Sequence, residues 1–176
     1  MPPNDPEGSA AEVLPTVEGG EPDPTAEAQA MVARLNGNGL YTRTALLLLP
    51  HAWLGREGEV AVRLEAAHVN YQTWKVARLS PDQSFLRYSP GRLIEELDAL
   101  CLHPHPYRTL LVSVFDLPLS ALAPAERRSF WNFFFSTFSK RPRAVLLALP
   151  EAAPVLPDDT AQDAWRTAGR LAHWDT

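Results

Sequence analysis

The amino-acid sequence predicts an α/β fold in which a mainly parallel sheet is flanked by helices. Two observations lead to this prediction. Segments with a strand pattern alternate with segments of helical pattern along most of the 176 residues. The strand segments are also almost continuously apolar, as in Thr42–Leu49 and Arg143–Leu149, which is typical of strands buried on both faces of a parallel sheet.

Capping and breaking residues set the boundaries of the predicted elements. Asn36 and Gly37 end the first helix, Ser89 followed by Pro90 starts a later one, and Pro124 starts the most aromatic one. The predicted helices cover Ala26–Leu35, Glu57–Ala67, Pro90–Cys101, Ala125–Lys140 and Pro157–His173, with a short helical turn at Lys75–Leu79. The predicted strands cover Thr42–Leu49, His68–Thr73, Tyr107–Asp116 and Arg143–Leu149.

Charge is distributed unevenly along the chain. Residues 1–33 contain seven acids and no lysine or arginine, whereas the remaining residues contain 14 acids and 16 bases. Residues 1–25 also hold six of the 17 prolines and few large apolar residues, a composition that predicts a disordered acidic tail. This tail would either solubilise the protein or bind a partner. We expect residues 26–176 to form a single α/β domain.

The compartment is predicted from cysteine and hydropathy. The single cysteine, Cys101, excludes an internal disulfide and fits a reducing compartment. The N-terminus lacks the pattern of a signal peptide, and no apolar run approaches the roughly 20 residues that span a bilayer. These features predict a cytoplasmic protein with no membrane partner. Cys101 lies on the apolar side of its helix, so a small buried side chain is expected there.

The segment after the first strong strand has the order of strand, turn and helix in which a phosphate-binding P-loop would lie. The pattern G-x-x-x-x-G-K-[ST] places Pro50 at its first glycine and Gly55 at its second. Arg56 then stands at the lysine and Glu57 at the hydroxyl residue. A P-loop lysine reaches the phosphates and the hydroxyl binds Mg²⁺, so the sequence predicts that most catalytic groups of such a loop are lost.

This order of elements resembles the RecA-like P-loop NTPase architecture, a three-layer α/β fold. Within that group the chain is similar to BrxF, the small P-loop protein of some BREX phage-defence systems. The similarity spans residues 45–149. Three segments carry it: His68–Leu79, Leu110–Leu119 and Phe138–Leu149.

The resemblance also identifies departures from the family pattern. Ser113 falls at the position of a Mg²⁺-associated aspartate, and Asp116 falls at that of a water-activating glutamate. Both halves of the site are therefore altered, which implies a pseudo-NTPase without a cofactor that acts as an adaptor or regulatory subunit of a multi-protein assembly, in phage defence. An alternative that remains open is a residual ATP-binding protein, whose nucleotide site would use Gly55, Arg56 and Asp116.

A second resemblance is to SulA-like cell-division inhibitors, which are RecA-like domains without a nucleotide site. The run T-A-L-L-L-L-P with the short loop to Gly55 carries it, together with Leu122–Arg143. This resemblance implies an inhibitor that acts by protein–protein contact.

The helix predicted over Ala125–Lys140 is a candidate interaction surface because it carries six aromatic residues within nine positions. Burial against the sheet accounts for most of these rings, and the others would anchor a protein partner. The candidate partner-binding residues are Trp131, Phe134, Phe135 and Phe138.

Basic residues gather at the two ends of the same helix. They would be either ordinary solvated charge or a small patch that contacts phosphate or nucleic acid. The candidate nucleic-acid contacts are Arg127, Arg128, Lys140, Arg141 and Arg143. His103 and His105 flank Pro104 without a third ligand nearby in sequence, so no metal site is predicted.

Overall fold

The computed structural model describes Asp23, residues 25–80 and residues 87–175. The predicted tail therefore lies almost entirely outside the described residues, which form five strands and seven α-helices. The strands are β1 Thr44–Leu49, β2 Ala67–Asn70, β3 Thr109–Ser113, β4 Ala144–Pro150 and β5 Leu171–His173. The helices are α1 Ala26–Asn36, α2 Glu57–Arg63, α3 Tyr71–Val76, α4 Pro90–Leu102, α5 Asp116–Ser120, α6 Pro124–Ser136 and α7 Asp159–Thr167.

The described strands form one sheet in the order β2-β3-β4-β1-β5, and every pair is parallel. Helices cover both faces, which confirms the predicted three-layer α/β fold and its RecA-like parallel sheet. The connection from β4 to β5 crosses to the far side of β1. The connection that follows β1 runs the other way, to β2, so the connections after the neighbouring strands β1 and β4 leave in opposite directions. In open α/β sheets, the crevice at the carboxyl ends of the strands at such a point is the usual ligand position.

The two faces of the sheet have separate apolar cores because side chains alternate along each strand. Leu46 and Leu48 of β1 belong to the core that α3 to α7 cover. Leu47 and Leu49 belong to the core on the other face, under α1 and α2. This division explains why the strands read as continuous apolar runs in the sequence.

The predicted closing helix Pro157–His173 is wrong at its carboxyl end. Gly169 has a φ of +64°, and its amide donates to the Arg166 carbonyl at 2.8 Å. The Arg170 amide donates to the Trp165 carbonyl at 2.9 Å. These two bonds form a Schellman ending, in which glycine provides the left-handed residue. The chain then pairs with β1 as β5, because its apolar residues suit a buried strand as well as a helix.

Two predicted strands are too long at their carboxyl ends. β2 stops at Asn70, whose side chain accepts a hydrogen bond from the Thr73 amide at 3.0 Å and so caps α3. The predicted strand Tyr107–Asp116 stops at Ser113, because Val114 turns the chain with a φ of +57°. A side-chain cap and a left-handed residue thus override an apolar pattern that continues beyond the strand.

Two predicted helices are also shorter than expected. α2 ends at Arg63, and Val62 in its last turn is 77% exposed. α6 ends at Ser136, and the chain reverses through Lys140, which has a φ of +60°. Both helices therefore end several residues before the breaks that the sequence suggested.

Candidate functional site

The turn between β1 and α2 lies where a phosphate loop would lie, at the carboxyl edge of the sheet. It begins with a 3-10 turn at His51–Trp53. The Trp53 amide donates to the Pro50 carbonyl at 2.9 Å, the Leu54 amide to His51 at 3.2 Å, and the Arg56 amide to Trp53 at 3.1 Å. A phosphate loop binds its ligand through amides that point outward. Here these amides are used inside the turn.

Gly55 has a φ of +85°, which is the backbone conformation that favours glycine. Its amide donates to the Glu57 carboxylate at 3.0 Å. A side-chain oxygen of the chain itself therefore takes the place that a phosphate oxygen would take. The negative charge of Glu57 would also repel a phosphate at this position.

Arg56 is held against its own helix. Its Nε and Nη2 donate to the two carboxylate oxygens of Glu59 at 3.0 and 2.7 Å. Its guanidinium carbon lies 4.2 Å from the centre of the Trp53 ring. The hydrogen bond to Glu59 raises the pKa of Arg56, so the group stays charged, but it is already paired. The side chain at the lysine position is thus paired within its own segment, and it does not line the cleft described next.

A cleft of about 310 Å³ opens beside this turn. Most of its lining is apolar and includes Leu49, Leu54 and Pro150. Asp116 and Glu151 contribute carboxylates, and none of the described residues that line the cleft is lysine or arginine. The structure therefore brings Asp116 to the turn but does not bring it together with Gly55 or Arg56. Two carboxylates without a cation make this cleft unfavourable for phosphate.

The carboxyl end of β3 is also altered. Ser113 is buried, and its hydroxyl lies 2.8 Å from Nε2 of His68 on β2. Burial lowers the pKa of His68, and the Glu57 carboxylate opposes this shift. Val114 follows with a positive φ, which is rare for a β-branched residue. A buried hydroxyl bonded to histidine lacks the negative charge with which an aspartate holds Mg²⁺.

The aromatic residues of α6 lie mostly in the core. Trp131, Phe134 and Phe138 are buried, so the predicted docking surface is wrong for these three side chains. Phe135 is half-buried, and Phe133 is the ring of this helix with the greatest exposure, at 36%. The segment that leads into α7 and α7 itself help to cover these rings: Trp131 donates to the Val155 carbonyl, and the Trp165 ring lies 4.8 Å from that of Phe135. The sequence could not show this arrangement.

The five candidate basic residues do not form one patch. Arg127 and Arg128 lie in the first turns of α6, near the carboxyl edge of the sheet. Lys140, Arg141 and Arg143 lie after its last turn, at the amino edge. A helix of 13 residues separates the two groups by about 20 Å.

Three of these cations form hydrogen bonds or ion pairs with other parts of the domain. Arg127 and Arg143 each donate to several backbone carbonyls. Arg141 forms a bidentate ion pair with Asp98. The carbonyl acceptors are those of Leu119, Leu122 and Pro154 for Arg127, and of Cys101, His105 and Tyr107 for Arg143. Arg128 and Lys140 remain exposed.

Cys101 is buried as predicted, and burial raises the pKa of its thiol to about 12. The rings of His103 and His105 lie 5.1 Å apart. Burial lowers the pKa of His105, and the neighbouring His103 adds to this effect. Across the described residues, no group of three or more His, Cys, Asp or Glu side chains could hold a metal ion.

Sequence reasoning missed a buried charged cluster between α3 and α4. The Glu96 carboxylate accepts hydrogen bonds from the Tyr71 hydroxyl, from Lys75 and from Arg92. Tyr71 and Lys75 are buried. Burial and the Glu96 hydrogen bond raise the pKa of Tyr71. The sequence signal was slight, since Lys75 looks like any lysine on a short helix.

No family model matches this chain, and no curated protein matches it. Among the helices of the described residues, none combines the length and the apolar character that crossing a membrane requires. The function must therefore be argued from the geometry of the site.

Proposed function

We propose that this chain is a P-loop-type α/β domain that does not use nucleotide and acts by protein contact, as an adaptor or regulatory subunit of a multi-protein assembly. The turn after β1 carries this proposal. Four of its amides bond within the turn or to Glu57, and the Arg56 side chain bonds to Glu59. In a working phosphate loop the corresponding groups face the ligand.

The cleft at the carboxyl edge is the proposed docking position. Its apolar lining suits a partner's hydrophobic side chain, and Leu54 is 36% exposed there. Asp116 and Glu151 suit a lysine or arginine beside that side chain. The partner is therefore a protein segment that presents an apolar anchor next to a basic residue.

The setting of the proposed assembly is phage defence. This part of the proposal is supported by the resemblance of residues 45–149 to BrxF. A phage-defence methyltransferase and a large ATPase encoded next to this chain would support it further.

Calorimetric titration tests the loss of nucleotide binding. We expect no binding of ATP or ADP tighter than about 100 μM, or about −5.5 kcal/mol, with or without Mg²⁺. A double variant, Arg56→Lys and Glu57→Ser, restores both P-loop side chains and is also expected not to bind, because the amides of Trp53 and Arg56 stay engaged. Mg²⁺-dependent binding that Arg56→Ala abolishes would instead support a residual ATP-binding protein.

A pair of matched variants tests the docking cleft. Leu54→Glu places a charge in the apolar cleft, whereas Val62→Glu makes the same change at an exposed position of α2 outside it. Purification from cells that naturally make the protein should recover the same partner with wild type and Val62→Glu. We expect Leu54→Glu to lose it, with a weakening of about tenfold or more. Equal retention by both variants would refute docking at the cleft.

A further inference from the structure

Arginine stands immediately before four of the five described strands. Because the strands are parallel, these residues share the amino edge of the sheet, opposite the cleft. They lie along that edge in the order of the strands β3, β4, β1 and β5: Arg108, Arg143, Arg43 and Arg170. Helix dipoles account for two of the four, since Arg170 and Arg143 donate to carbonyls in the last turns of α6 and α4.

Some of these arginines are engaged inside the domain, and others face solvent. Arg170 is buried, and Arg143 is occupied by backbone carbonyls. Arg108 is exposed. Arg43 is half-buried, and its Nη2 donates a hydrogen bond to the Arg141 carbonyl. Lys140, in the loop before β4, is exposed at the same edge. Within the described residues, none of these last three side chains forms an ion pair.

Two exposed tyrosines stand among these cations. Tyr41 precedes β1 by three residues and is 65% exposed, and Tyr107 precedes β3 by two and is 45% exposed. The Lys140 ammonium lies 6.0 Å from the centre of the Tyr41 ring. β1 and β3 both pair with β4, so the two loops are separated by about 10 Å, or two strand spacings.

A cavity of 520 Å³ opens next to Tyr107 and Arg108, between α1 and α2. Gln29 and Asn36 contribute amide groups to its lining, and Glu65 contributes one carboxylate. The volume is within the range of small-molecule pockets, and the amides can pair with the polar edge of a nucleobase. The cavity thus provides a place for a base beside a stacking ring and a cation.

We propose that the amino edge of the sheet binds single-stranded nucleic acid. Arg43, Arg108 and Lys140 contact phosphates, while Tyr41 and Tyr107 stack on bases. Positive charge interleaved with exposed aromatic rings is the usual construction of single-strand sites. The proposal goes beyond adaptor function, since it adds a second ligand at the opposite edge from the protein-docking cleft.

Acidic residues at the carboxyl edge of the sheet disfavour nucleic-acid binding on that side. Glu57, Asp116 and Glu151 follow strands at the carboxyl edge, where a phosphate backbone is repelled. The amino edge therefore offers a polyanion the more favourable contact, even though the chain as a whole has a net charge of −5. A single strand is favoured over a duplex because the tyrosines need unstacked bases.

Fluorescence anisotropy with labelled single strands of about 20 nucleotides, DNA and RNA, at about 50 mM salt tests this proposal. Wild type is expected to bind with a dissociation constant of about 1–100 μM. Tyr41→Ala and Tyr107→Ala should each weaken binding by about fivefold or more. The double variant Arg108→Glu and Lys140→Glu should weaken it about tenfold or more and flatten the salt dependence, by about 0.7 in log–log slope per lost phosphate contact.

Arg128→Glu is the matched control, because it reverses an exposed charge at the carboxyl edge. It should leave the affinity within about twofold of wild type. The proposal is overturned if wild type shows no saturable binding, or if Arg128→Glu weakens binding as much as the amino-edge variants do. It is also overturned if a labelled peptide of residues 1–22 binds this edge and the oligonucleotides do not. Duplex binding that the tyrosine variants leave unchanged would equally refute the single-strand site.

Discussion

Replacing Glu96 by alanine is expected to lower the free energy of unfolding by about 3–5 kcal/mol. The Glu96 carboxylate accepts from Tyr71, Lys75 and Arg92, and its side chain is only 12% exposed. The substitution leaves the Lys75 ammonium buried without a counter-charge and the Tyr71 hydroxyl without its acceptor. A buried charge whose partner is removed costs more than the pair itself contributes. Chemical denaturation by urea measures the change.

Glu95→Ala is the matched control for this substitution. Glu95 is the neighbouring residue on α4 and is exposed, so its removal should change stability by about 0.5 kcal/mol or less. In the double variant Lys75→Met and Glu96→Gln, the buried charge is gone and Tyr71 keeps an acceptor. The double variant should therefore lose less unfolding free energy than the sum of the losses in Lys75→Met alone and Glu96→Gln alone, by about 1–3 kcal/mol. If Glu96→Ala and Glu95→Ala lose equal stability, the cluster does not stabilise the fold.

The strands and their parallel arrangement were predictable because burial on both faces leaves a direct mark in the sequence. The run Leu46–Leu49 is apolar at every position, since two separate cores receive its alternate side chains. The start of α4 was equally clear, since Ser89 followed by Pro90 is a typical capping sequence. In the structure the Ser89 hydroxyl accepts a hydrogen bond from the Arg92 amide. β5 was not predictable, because Leu171 and Ala172 fit a helix face as well as a strand. Only the hydrogen bonds around Gly169 decide between them.

The candidate site was predictable in its position but not in its state. The altered residues at Gly55, Arg56 and Glu57 could be read from the sequence, because a P-loop requires particular chemistry at each place. The sequence could not show that the Gly55 amide and the Arg56 guanidinium are already hydrogen-bonded. That depends on where Glu57 and Glu59 direct their carboxylates. Folding to a helix brings Glu59 within reach of Arg56 and turns a free cation into a paired one.

The basic residues illustrate the same limit. Proximity in sequence suggested one patch at the ends of α6, whereas the strand order assembles a different group, Arg43, Arg108 and Lys140, from separate loops. Parallel strands collect the residues that precede them at one edge, however far apart they lie in the chain. A surface of this kind becomes visible only when the strand order is known.

Arg170→Ala is expected to be the other strongly destabilising substitution, with a loss of about 3–4 kcal/mol. Arg170 is 5% exposed and donates to the Thr44 carbonyl at 2.6 Å and to the Phe135 carbonyl at 2.9 Å. Its guanidinium lies 4.7 and 4.6 Å from the rings of Phe135 and Trp165. Burial lowers the pKa of Arg170 to about 10, so it remains charged at neutral pH. Alanine removes the donors, the ring contacts and the positive charge at the carboxyl end of α6.

A thermal melt should show this loss as a fall in Tm of about 6–12 °C for a chain of this size. Arg170→Lys keeps the charge but not the planar fork, so we expect it to recover only a small part of the stability. Arg166→Ala is the control, because that arginine is exposed and forms only a surface ion pair with Asp163, within one turn of α7. A Tm for Arg170→Ala within about 2 °C of wild type would show that water replaces the guanidinium at these carbonyls. The junction of β1, β5 and α6 would then be stabilised by packing alone.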